Sequence, residues 1–219
     1  MRCKTSYLQS WMLSKSRSGS SSGLFQPQKF DTLLALDFEA TCISNKQIEP
    51  QEIIEFPCLK INTKTFEVES EFHHYVRPKF HPQLSDFCTE LTGIMQEMVE
   101  DQLEFSQVMD QFQQWIDHEN LGKFALVTCG DWDLKTCLKK QCEISNINLP
   151  NWAHQWINLK KAHKTVHGHF PRSLHEVLKV NGLTFQGRPH SGIDDTKNIA
   201  MAIKKLALKG HIFDYTTKL

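Results

Sequence analysis

Apolar and polar positions change period along the chain, and those changes mark out its elements. Residues 34–41, Leu-Ala-Leu-Asp-Phe-Glu-Ala-Thr, form an apolar run with the character of a buried strand that ends in two carboxylates. A side-chain period of two puts Asp37 and Glu39 on one face, and Leu36, Phe38 and Ala40 on the other. Residues 52–61 and 66–77 predict two more strands, joined by the turn Asn62-Thr63-Lys64-Thr65 and stopped by Pro78 and Pro82. Strands one to three then form an antiparallel meander, unlike a nucleotide-binding fold that opens β-α-β. Residues 85–99 lean to helix with a break at Thr92-Gly93. Val108, Phe112, Trp115 and Ile116 recur at helical spacing and mark an amphipathic helix with a core-facing stripe.

The second half alternates strand and helix. Residues 124–129 predict a fourth strand, and Gly130-Asp131-Trp132-Asp133 leads from it into a helix carrying Leu134, Cys137 and Leu138. Residues 156–159 predict a fifth strand. Ser173-Leu174-His175-Glu176 is a capping box for a helix that Gly182 closes, and the last helix runs from about residue 193 to 209. The expected fold is α/β: a five-stranded mixed sheet of antiparallel strands 1–3 and then two strand-helix units, flanked by helices.

Composition narrows the setting. A chain of 219 residues, 40% hydrophobic, suits one domain, placed at residues 29–215. Residues 1–28 hold Arg2, Lys4, Lys15 and Arg17, no acid, and a Ser/Gly tract at 16–23. They predict a disordered basic tail, and the same composition fits an organelle transit peptide. Lys plus Arg and Asp plus Glu both number 25, so net charge gives no broad nucleic-acid affinity and any such binding is local. Seven cysteines without a C-x-x-C argue against a disulfide framework or zinc ribbon and for a reducing compartment, cytoplasmic or nuclear, or mitochondrial if the tail is a transit peptide. No apolar run reaches the roughly 20 residues a bilayer span needs, so no membrane association is expected.

Candidate chemistry sits at the strand ends. Two like charges about 4 Å apart repel by roughly 1 kcal/mol in water and about 4 at an effective dielectric of 20, a term whose sign a divalent cation reverses. Asp37 and Glu39 form one such pair at a strand's carboxyl end, where ligands of open α/β sheets gather. Asp194 and Asp195 open the last helix. Asp195 steps with Ile199, Ala202, Ile203 and Leu206 onto the packed face, whereas Asp194 shares the face of Asn198, Met201 and Lys205 and suits the helix dipole. His190, five residues before Asp195, is close enough to meet it at the helix entrance. His73, His74, His154, His163, His167 and His169 show no ligand spacing and are expected at the surface.

Taken in order, Asp37-Phe38-Glu39, Trp132-Asp133, His190 and Asp195 resemble the DEDDh exonucleases of the ribonuclease-H-like superfamily, over about residues 30–215. Leu36-Asp37-Phe38-Glu39-Ala40-Thr41-Cys42, Glu52-Ile53-Ile54-Glu55-Phe56-Pro57, Leu91-Thr92-Gly93-Ile94 and the segment 187–195 are similar to the Eri-type 3′-to-5′ exoribonucleases within that group. The resemblance implies two Mg2+ or Mn2+ ions held by Asp37, Glu39, Asp133 and Asp195, with His190 as general base and nucleoside 5′-monophosphates as products. It further implies that Glu39, Ala40 and His190 touch the terminal nucleotide and that Phe87, Leu91, Thr92 and Trp132 line its base pocket. An imidazole, with an ordinary pKa near 6.5, suits proton removal from water at neutral pH.

The partner expected is RNA, chiefly its single-stranded 3′ ends or short overhangs, in RNA processing or decay; the sequence names no protein partner. No nucleic-acid-binding module is recognisable ahead of residue 29, so phosphate contacts fall to the lysines of 135–140, 160–164 and 204–209, which double as solvated helix faces. Without a visible reader of base edges, little sequence specificity is expected. Two other readings stay open: a DNA exonuclease of proofreading type, and a catalytically silent RNA-binding domain that keeps the fold.

Overall fold

The computed structural model describes residues 23–219. The expectations for residues 1–22 lie outside the described residues. Within the rest of the expected tail, Phe25 packs its ring on Phe66 at 4.7 Å, and the Gln28 amide joins the chain at Phe213 and His211. The folded unit therefore starts ahead of residue 29.

The five expected strands are present in the expected senses. Strand β1, Thr32–Leu36, pairs antiparallel with β3, Ile53–Asn62, which pairs antiparallel with β4, Val68–Tyr75. On its other side β1 runs parallel to β5, Phe124–Thr128, and β5 parallel to β6, Gln155–Asn158. Two two-residue strands bring the sheet to seven: β2, Glu39–Ala40, on β3, and β7, Thr217–Lys218, on β6.

Where one strand was expected over residues 34–41, the ladder breaks at Asp37 and Phe38. Leu36 pairs with Cys58, pairing resumes at Glu39 with Glu55, and Pro57 lies between them. Proline has no N–H to give, so the ladder cannot run through it unbroken. The Phe38 N–H, on the β5 side of the strand, donates to the carboxylate of Asp133 at 3.0 Å. That bond ties the first acidic strand end to the second.

Helices cover both faces. Leu34 and Leu36 point to a core with Phe56, Phe72, Trp156 and the α2 stripe Val108, Phe112 and Ile116; α1 spans Asp86–Thr92 and α2 Phe105–His118. Leu33 and Ala35 point to the opposite core, under α4, Leu159–His167, α5, Leu174–Val180, and α6, Gly192–Leu208. Full burial of β1 on both faces is what a strand parallel to its neighbour and central in the sheet requires. After β5 the chain enters a π-helical segment, Asp133–Leu138, which continues as α3, Lys139–Ile144. Among the described residues no helix is long and apolar enough to cross a membrane.

Of the histidines expected at the surface, His163 is buried, and His73, His74 and His167 are half-buried. His163 is fully buried on α4, with the rings of His167 and His169 at 4.4 and 5.1 Å, and the half-buried His73 bonds Glu55 at 2.8 Å. Leu159, Ala162, His163 and Val166 make the apolar side of α4, so His163 occupies a core position that a polar reading of the residue conceals.

Candidate active site

The β1–β2 break, the start of the π-helical segment and the start of α6 meet at one end of the sheet. Glu39, His190 and Asp195 each present a ligand-capable atom there, all within 4.8 Å of one another. Asp37 and Asp133 lie outside that tight trio but join it through charge. Burial, followed by the charges of Asp133, Asp195, Glu39 and Glu55, holds the Asp37 carboxyl well above the usual carboxylate range. Burial and then Glu55, Asp195 and Asp133 push Glu39 up to about 9. Asp133 is pushed up to about 6 by burial, against the lowering pull of the Phe38 N–H. Asp195 is also raised by burial, opposed by the backbone N–H and the side chain of His190.

Carboxyls raised by burial and, for Asp37, Glu39 and Asp133, further by neighbouring acids are groups short of a cation, and oxygen and imidazole donors suit a hard divalent ion. The residues therefore fit a site for such ions, with Asp37, Glu39, Asp133 and Asp195 as the natural donors.

Local structure explains how each side chain arrives. His190 has a left-handed backbone, φ 61°, which costs a non-glycine residue about 1 kcal/mol. Its N–H donates to Asp195 Oδ2 at 2.9 Å, so the strained turn and the acid hold each other. Asp194 faces away from that contact: its Oδ2 accepts the Arg188 N–H at 2.9 Å and its carbonyl accepts the Asn198 amide at 2.7 Å. The Arg188 guanidinium reaches back to the Glu90 carbonyl at 2.5 Å across Gly93, where a Cβ would meet Arg188 Nε at 2.8 Å. Gly93, left-handed at φ 78°, both ends α1 and makes room for that arm.

The residues expected around the base are placed unevenly. Phe87 on α1 and Trp132 beside Asp133 stay 38% and 41% exposed, and neither ring pairs with another aromatic among the described residues. Ala40 is buried in β2 and Leu91 half-buried at the end of α1. Thr92 is buried, and its hydroxyl is spent within the chain, donating to the Cys88 carbonyl and accepting from the Ile94 N–H. It closes α1.

Of the two acids in Gly130-Asp131-Trp132-Asp133, only Asp133 turns inward. Asp131 accepts from Trp156, Asn158 and Thr217 and pairs with Lys161 at 3.3 Å, fastening β6 and β7. Lysines from all three basic runs are likewise engaged: Lys140 with Glu49, Lys161 with Asp131 and Lys204 with Glu67. Among the described residues Lys135 and Lys139 make no ion pair, and they follow Trp132 in the π-helical segment and at the start of α3.

The sequence reading passed over Glu55. It sits inside the buried run of β3 and accepts N–H groups from Gly192 and Ile193. The signal was a carboxylate within an otherwise apolar strand, a position that burial tolerates only when the charge is partnered.

Comparison with known proteins follows these residues. The chain matches the exonuclease family of RNase T over residues 34–203. It is 51% identical over 201 residues to ERI1 exoribonuclease 3 of Homo sapiens, covering 89% of this chain and 59% of that protein. The chain thus spans about three-fifths of that relative's length. The nuclease domain of 3′hExo, described as a DEDDh family member bound to rAMP, superposes with a TM-score of 0.86 at 37% identity, covering 89% of this chain and 100% of that one. A structure of a 3′-exonuclease recognising the histone mRNA stem-loop gives a TM-score of 0.85 at 36% identity, covering 97% and 73%.

Proposed function

The chain belongs to the DEDDh exonuclease family, among its ERI1-like exoribonucleases, and on that premise we propose that it removes nucleotides one at a time from the 3′ end of single-stranded RNA or short overhangs, releasing nucleoside 5′-monophosphates. The observation that carries the reading is the convergence of Glu39, His190 and Asp195 within 4.8 Å, next to the buried carboxyls of Asp37 and Asp133, both raised chiefly by burial. RNA is favoured over DNA by the exoribonuclease names of the relatives and by the rAMP in the similar nuclease domain.

Asp37, Glu39, Asp133 and Asp195 would hold two Mg2+ or Mn2+ ions, which would supply Lewis-acid stabilisation of the charge that develops on the attacking and leaving oxygens. The chain's residues do the rest. His190 is exposed at its turn and takes the proton of the attacking water, while its N–H bond to Asp195 fixes the direction the ring approaches from. Phe87 and Trp132 give the terminal base an apolar platform, worth about 1–3 kcal/mol per stacked base. Lys135 and Lys139 lie beyond Trp132 on the same helical run and meet the phosphates that follow. Nothing in this set reads base edges, so cleavage is indifferent to sequence.

A 5′-labelled RNA oligomer tests the whole reading at once. In Mg2+ or Mn2+ it should shorten through a one-nucleotide ladder that keeps the label, stop in excess chelator and resume when metal is returned. A matched DNA oligomer cut faster than the RNA would move the assignment to a DNA exonuclease, and an intact RNA in Mn2+ would leave only a binding domain.

His190→Ala separates base from ligand. As general base its loss should lower turnover by about 10²- to 10⁴-fold, with Mn2+ binding by calorimetry kept within a few-fold of the parent. Loss of Mn2+ binding in this variant would make the imidazole a ligand.

A further inference from the structure

Glu55 is buried at the site's edge and has no part in the reaction described above. Its side chain is 0% exposed, and across the β2–β3 pair it stands opposite Glu39. Its two oxygens face the start of α6, Oε2 accepting the Gly192 N–H at 2.9 Å and Oε1 the Ile193 N–H at 3.1 Å. The His73 ring nitrogen meets Oε1 at 2.8 Å from β4. Three donors therefore hold one carboxylate in a fixed plane.

The first turn of α6 depends on that carboxylate. A helix start leaves four N–H groups unpaired, and its flanking side chain ordinarily takes one of them. Here Ser191 makes no such bond, and the cap comes from another element, the strand whose partner β2 carries Glu39. The approach is close enough to require glycine. A Cβ on Gly192 would lie 2.9 Å from the Asp37 carbonyl, 3.0 Å from Glu55 Oε2 and 3.1 Å from Pro57 Cγ. One turn on, the Asp195 N–H bonds the Ser191 carbonyl, and the Asp195 carboxylate takes the His190 N–H. Gly192 and Ile193 thus sit between His190, just ahead of α6, and Asp195 in its first turn, and both are pinned to β3.

We propose that Glu55 is a positioning residue: its carboxylate, oriented by His73, sets the height and rotation of the α6 start, and so the placement of Asp195 and His190 against Asp37 and Glu39. Two parallel N–H contacts to one carboxylate fix translation and tilt together, as a single cap contact cannot. The inference rests on the proposed function for its kinetic consequences, but its structural consequence needs no substrate.

Glu55→Gln keeps the side chain's shape, leaves one oxygen for one N–H, and turns an NH2 toward the other. In the metal-free chain, hydrogen exchange at Gly192 and Ile193 should quicken by about tenfold or more, as expected for amides that lose a buried acceptor. The Mn2+ dissociation constant by calorimetry should rise about tenfold, and kcat on RNA should fall about 10²-fold with KM within threefold, the scale that a misplacement near 1 Å carries. Should Glu55→Gln fail to fold, Glu55→Asp carries the same test, since it keeps the charge and shortens the arm by one methylene. Faster exchange with Mn2+ affinity and kcat both within twofold of the parent would overturn the proposal and make Glu55 a helix cap alone. A parent chain that leaves RNA intact would defeat the proposed function while the exchange and Mn2+ measurements still decided the role of Glu55.

Discussion

Asparagine at position 195 should lower RNA turnover by about 10³-fold, the scale that losing one preorganised charged contact carries, whereas asparagine at position 194 should leave turnover within a few-fold of the parent. The two acids are neighbours in sequence and about 100° apart around the helix. Asp195 lies within 4.8 Å of both Glu39 and His190 and takes the His190 N–H. Its replacement removes a charge from the ion site and loosens the turn that aims the imidazole. Asp194 instead holds the loop ahead of the helix through the Arg188 N–H. An amide oxygen can still accept that bond, so Asp194→Asn should cost about 1 kcal/mol through the weakened bond and helix dipole, a drop of about 2–4 °C in melting for a domain of this size. Initial rates at saturating Mg2+ on one RNA, with melting curves beside them, give both numbers. Equal loss of turnover in the two variants would place Asp194 in support of the ion site.

That contrast was legible in the sequence because helical phase is fixed by count: Asp195 steps with Ile199, Ala202 and Ile203, all of them buried. Asp37 and Glu39 were legible for a related reason, standing where an apolar strand run gives out, whereas Asp133 was told from Asp131 only through the family resemblance. What stayed hidden depended on partners far away in sequence. The strand through residues 34–41 looked continuous, and only its neighbour Pro57 shows why it breaks. Glu55 reads as one more acid until α6 is laid across it. His163 reads as polar, yet it fills a core position on α4 beside Leu159, Ala162 and Val166. Period and spacing find residues that act within one element; residues that join two elements need the second in view.

Asp37→Asn should abolish nearly all turnover and, in metal-free buffer at pH 8, melt higher than the parent. Burial and four neighbouring carboxylates hold Asp37 far above its ordinary value, so ionising it opposes folding whenever no cation is bound. The sign follows from proton counts. Groups whose folded pKa is raised bind more protons in the native state than in the unfolded one, so their contribution is fully present below the unfolded values near 4 and is lost as pH climbs through the folded ones. With Asp133 at about 6 and Glu39 at about 9, the metal-free parent should lose melting temperature steadily between pH 5 and pH 9. An asparagine at 37 removes one of the repelling charges, so that decline should be shallower, with a gain of about 2–4 °C at pH 8 for each 1 kcal/mol of relieved repulsion. Saturating Mg2+ should reverse the order, because an ion that binds only the folded chain stabilises in proportion to its affinity, and the parent binds it more tightly. Scanning calorimetry of both proteins in chelator and in Mg2+ tests the crossing directly. A variant that melts below the parent in chelator at pH 8 would mean that Asp37 supports the fold, and its repulsion from Asp133, Asp195 and Glu39 would then be compensated by contacts within the chain rather than by a cation.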